Sequence, residues 1–142
     1  LAVDAEKCIG FFPTQALPYF VLGTALNQQI NFQKALTTLE TGLDYVLNDS
    51  DLRAEFQAQI GEAQFGLYHH KEALAAYESA RSLAPQNAFV KNKYAYRLAL
   101  HELDLLKAEK IIDEVLLTFP NEPSYLETKG FILFQEGKYT FK

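Results

Sequence analysis

The chain is 142 residues long, about one ordinary domain, and 49% of it is apolar, with 13 Lys and Arg against 18 Asp and Glu. A formal charge of −5 without clustered Lys and Arg excludes the basic surface that tracks a phosphate backbone, so nucleic acid is not an expected partner. The single cysteine, Cys8, closes no internal disulfide, and no uninterrupted apolar stretch reaches the roughly 20 residues that cross a bilayer.

Apolar and small residues recur at spacings of three and four, which predicts helices near 2–11, 16–29, 32–47, 52–68, 71–83, 88–101, 105–118 and 123–136. In the first stands Cys8, whose place in a small-residue register predicts a buried, unreactive packing residue. Further along, Asn48-Asp49-Ser50-Asp51 supplies capping oxygens for the helix beginning near Leu52, and Pro85-Gln86-Asn87 ends one helix before the next. Ala73, Ala76, Ala80 and Ala84 mark one face of the fifth helix.

The elements repeat. Gly23 precedes Ala35 by 12 residues, Gly61 precedes Ala73 by the same distance, and Ala95 precedes Ala108 by 13. Four residues beyond those alanines stand Leu39, Tyr77 and Ile112, and seven beyond stand Gly42, Ala80 and Val115. A period of 34 to 38 residues with two amphipathic segments per unit predicts a helix–turn–helix repeat. Helix pairs approach closely only where side chains are small, so Gly23, Gly61, Ala35, Ala73 and Ala80 are expected at helix crossings.

These residues resemble the tetratricopeptide repeat (TPR) family. In the unit 54–87, Ile60-Gly61, Ala73, Tyr77, Ala80 and Pro85 follow the family pattern, with Gln57 and Gln64 where aromatics are usual. The unit 16–53 keeps Tyr19, Leu22-Gly23, Leu26, Ala35 and Gly42 but lacks the closing Pro, and the unit 88–121 replaces the Gly with Ala95. Residues 1–15 read as the tail of a preceding repeat, with Ala5, Cys8, Phe11 and Pro13 at the spacings of a unit's second helix and closing Pro. Residues 122–142 read as the first helix of an incomplete one, with Gly130 inside it, Gly137-Lys138-Tyr139 as its turn and Lys142 at the place of the next alanine. The stretches Asn92-Lys93-Tyr94-Ala95-Tyr96 and Tyr125-Leu126-Glu127-Thr128 look like bacterial members, a likeness that suggests a cytoplasmic or envelope-associated setting. The resemblance implies an all-α, right-handed α-solenoid of antiparallel helix pairs.

A chain that begins Leu-Ala-Val-Asp, without Met or a basic-then-apolar leader, is expected to be a window on a longer array, with any targeting signal outside it. The Phe131-Ile132-Leu133-Phe134 run and Leu126 are expected to expose an apolar face, open to self-association through the last helix.

No catalytic constellation emerges, so neither an enzyme nor a cofactor is expected. His69-His70 cannot present both rings on one helical face and reads as a solvated turn pair. His101-Glu102 lacks a metalloprotease's second His, and His101 is expected near a helix C-terminus. The glycines of Gly61 to Gly66 have phosphate-loop spacing, but Leu67-Tyr68 replaces the Lys and Ser/Thr. Binding remains. The resemblance implies that the first helix of each unit lines a concave groove for a partner's peptide or helix. By the helical period that face carries Phe20, Thr24, Asn27 and Gln28, then Glu55, Gln59, Glu62 and Phe65, then Phe89, Asn92, Lys93 and Tyr96, and finally Glu127 and Phe131. The family's clamp for acidic chaperone termini would fall on Phe20, Thr24, Gln59, Phe89 and Lys93, of which only Lys93 carries the charge. The expected function is therefore a protein-interaction scaffold, with a structural arm of a larger enzyme or secretion assembly as the alternative.

Overall fold

A computed structural model describes residues 2–137. Every regular element among them is helical: α1 (Ala2–Phe11), α2 (Ala16–Gln28), α3 (Phe32–Leu43), α4 (Ser50–Gly66), α5 (His70–Leu83), α6 (Ala88–Leu100), α7 (Leu105–Thr118) and α8 (Pro123–Gln135). The expected turn through Lys138 and Tyr139, and the position of Lys142, lie outside the described residues. The chain divides into two compact units, Leu1–Pro85 and Gln86–Lys142.

Capping fixes the starts of three helices. Asp49 accepts from the Leu52 amide at 2.9 Å before α4, Asn87 from Val90 at 3.1 Å before α6, and Asp104 from Lys107 at 3.0 Å before α7, each satisfying an amide that has no intrahelical partner.

The helices of each pair are joined by one recurring turn. Ile30, Tyr68 and Glu102, directly after the C-caps of α2, α4 and α6, adopt φ of 62°, 62° and 50°, and Gly137 after α8 adopts 71°. The next amide then reaches back to a helical carbonyl, Asn31 to Leu26 at 2.9 Å, His69 to Gln64 at 2.8 Å and Leu103 to Leu98 at 2.9 Å. This left-handed cap closes the helix and reverses the chain.

In the first unit the predicted crossing residues are where close approach is required. Gly23 and Gly61 are buried, and Ala35, Ala73 and Ala80 are fully so. A methyl group on Gly61 would lie 2.6 Å from Cδ2 of Tyr77, and one on Gly23 would strike the Leu39 side chain. Both large residues follow their glycine by 16 positions, so the same contact joins α2 to α3 and α4 to α5. In the second unit Val90, Tyr94, Leu98, Ile111, Ile112 and Ile132 form the buried core, with Ala95 and Ala108 filling the narrow places.

Three expectations are corrected. Helix α3 stops at Leu43 rather than near 47, because the chain tightens through bonds from Tyr45 N–H to the Gly42 carbonyl and from Val46 N–H to Leu43. That turn buries Val46 and sets the Tyr45 ring 5.6 Å from Tyr19. Cys8 is exposed, not buried, since α1 turns Ala2, Ala5 and Ile9 toward α2, and position 8 falls beside that stripe. The His69-His70 pair is not wholly solvated. His69 precedes α5 with Nδ1 2.8 Å from Gln64 Oε1, while His70 opens α5 half-buried, its ring 5.8 Å from Phe65.

Candidate functional site

Two polar faces, one in each unit, contain several of the residues singled out from sequence. On the first, helix periodicity puts Phe20, Thr24 and Asn27 along one side of α2. Asn27 Nδ2 reaches α4, donating to the Gln59 backbone carbonyl at 3.0 Å and to Gln59 Oε1 at 2.9 Å. That bond fixes the amide and leaves Asn27 Oδ1 buried without a hydrogen-bond partner, as is Thr24 Oγ1. Phe20 stands edge-on to Phe56 with centroids 5.3 Å apart.

The other residues expected on this face are distributed differently. Gln28 is exposed at the end of α2, and Gln59 is buried apart from its contact with Asn27. Glu62 accepts from the Tyr77 hydroxyl at 2.5 Å, which ties it to α5. Phe65, expected to face a groove, is a core residue with its ring 5.9 Å from Tyr77.

The second face is a cleft of about 460 Å³ between α6 and α8, lined by Asn92, Tyr96, Ser124, Glu127, Thr128 and Phe131. Tyr96 and Phe131 form its aromatic wall, ring centroids 5.3 Å apart. Asn92 Oδ1 is buried there without a hydrogen-bond partner. Lys93 and Phe89 are outside the lining and engage each other, the ammonium 5.3 Å from the ring centroid. Ser124 and Thr128 were missed in the sequence, although with Glu127 and Phe131 they keep the three- and four-residue spacing of one α8 face.

What this arrangement offers is hydrogen-bond acceptors beside aromatic rings. Thr128 already donates to the Ser124 carbonyl at 3.1 Å and Ser124 to Glu122 at 3.2 Å, so both hydroxyls present only lone pairs. His101 caps the C-terminus of α6, as expected. Among the described residues no group of three or more His, Cys, Asp or Glu could hold a metal ion, and no helix is long and apolar enough to cross a membrane.

No protein-family model matches the chain, and a search of curated proteins finds no match.

Proposed function

We propose that the chain is a TPR-like α-solenoid that binds an extended segment of a partner protein along the first helices of its units, and that it is not itself a catalyst. The observation that carries this reading is a coincidence of burial and incompleteness. Thr24, Asn27 and Asn92, all on α2 or α6, hold buried oxygen atoms without hydrogen-bond partners. A buried acceptor left unpaired costs roughly 1–3 kcal/mol, so three of them on first-helix faces are explained if a ligand supplies the donors. The backbone amides of an extended peptide do so without regard to sequence. The solenoid part of the reading is supported by the shared turn after α2, α4 and α6 and by the glycine-to-large-residue packing 16 positions apart.

Selection from a random linear-peptide library tests the proposal. Enriched peptides should lose at least tenfold in affinity against the double variant Asn92→Ala, Tyr96→Ala. An unselective library, or binding indifferent to that variant, contradicts it.

A second reading has one observation in its favour. Leu126 and Phe134 on α8 are 47% and 62% exposed, a surface suited to self-association. Sedimentation over a concentration series, compared with Phe134→Glu, distinguishes a dimerising chain from a monomer.

A further inference from the structure

The cleft between α6 and α8 has a chemical bias that names its ligand more narrowly than a peptide backbone. Of the six lining residues, the Ser124 and Thr128 hydroxyls have committed their protons within α8 or to its cap residue, Glu122. Asn92 contributes a buried carbonyl oxygen, and Glu127, exposed at the mouth, contributes a carboxylate with no ion-pair or hydrogen-bond partner among the described residues. Glu127 is also the only charged residue in the lining. The remaining wall is the Tyr96–Phe131 ring pair.

A site built from acceptors, one negative charge and aromatic surface is complementary to a planar cation rich in N–H groups. We propose that this cleft binds the guanidinium of an arginine side chain carried by the partner segment. The inference rests on the reading of the first-helix faces as a peptide-binding groove. The planar group stacks on the Phe131 side of the ring pair, its fork of N–H donors meeting Glu127 in two-pronged fashion and Asn92 Oδ1 in a single bond. An ammonium group satisfies the charge but neither the stacking nor the paired geometry. The protein already uses the other ring in this way: the Arg97 guanidinium sits 5.9 Å from the Tyr96 centroid. Arg97 is outside the cleft lining, so the Phe131 side is the one open to a second cation.

The test uses the whole isotope-labelled chain titrated with N-acetyl-arginine methylamide, followed by amide and side-chain NMR shifts. Its neutral isostere, N-acetyl-citrulline methylamide, and the lysine analogue are the comparison probes. The arginine probe should saturate, shifting the Asn92 side-chain amide and residues 124–131, and should bind about threefold to tenfold more tightly than either comparison probe. Glu127→Gln should abolish that preference for arginine over citrulline while leaving the dispersion of the spectrum intact. Equal binding of citrulline or lysine, shifts located elsewhere, or an unchanged preference in Glu127→Gln would overturn the proposal. If arginine fails while library-selected peptides still require Asn92 and Tyr96, the groove stands without an arginine anchor. If those peptides fail as well, the groove falls with it.

Discussion

Asn27 and Gln59 join α2 to α4 within the first unit: one side-chain amide, Asn27 Nδ2, donates to both the backbone carbonyl and the Oε1 of Gln59, at 3.0 and 2.9 Å. Removing it leaves Gln59 Oε1 buried without that donor. Asn27→Ala is therefore expected to cost about 1–2 kcal/mol, read as a lower urea midpoint with unchanged slope.

Thr24 lies one helical turn earlier and has the opposite balance. Its hydroxyl oxygen is buried without a partner, so Thr24→Val, which keeps the shape and removes the polar atom, is expected to stabilise the fold by about 0.5–1 kcal/mol. The same change should weaken binding of a library-selected peptide several-fold. Greater stability with undiminished binding would show that Thr24 faces no ligand.

Two glycines in matching positions should respond to alanine with opposite signs. Gly61 and Gly130 each stand seven residues before a left-handed turn residue, Tyr68 and Gly137. A Cβ on Gly61 meets the Tyr77 ring at 2.6 Å, whereas one on Gly130 meets nothing within 4 Å. Gly61→Ala should therefore destabilise by about 1–3 kcal/mol through overpacking. Gly130→Ala should stabilise by up to about 1 kcal/mol through helix propensity. Thermal melts of the two variants give the comparison directly.

The left-handed turns hold side chains where glycine is favoured. Ile30, β-branched at φ 62°, is 76% exposed, and Tyr68 at the same φ is 82% exposed, so neither recovers its backbone strain through burial. Ile30→Gly and Tyr68→Gly should each raise stability by about 1 kcal/mol, measured by chemical denaturation. A loss of stability in either variant would mean that the side chain contributes more than its conformation costs.

How far the sequence could be read depended on which faces of each helix are buried. The helix positions were legible because caps such as Asp49 and Asn87 and the Pro85 break act locally. So were the crossings at Gly23 and Gly61, where size alone decides. Face assignment failed on α4, which buries Phe56, Ala58, Gln59, Ile60, Gly61, Ala63 and Phe65. A helix covered on so many sides has no clean polar stripe, so the period that placed Asn92 and Tyr96 beside one cleft misassigned Phe65. Cys8 failed for a related reason, because in the short helix α1 a rotation of one position exchanges a buried residue for an exposed one. The left-handed turns were illegible because Ile30, Tyr68 and Glu102 stand where glycine would have announced them.

The most direct measurement is hydrogen exchange of the full chain with and without a library-selected peptide. Binding along the first helices predicts added protection confined to α2, α4, α6 and α8, strongest around Thr24 to Asn27 and around Asn92 to Tyr96, with α3, α5 and α7 unchanged. Protection centred on α3, α5 and α7, or on the turns at Ile30 and Tyr68, would contradict it.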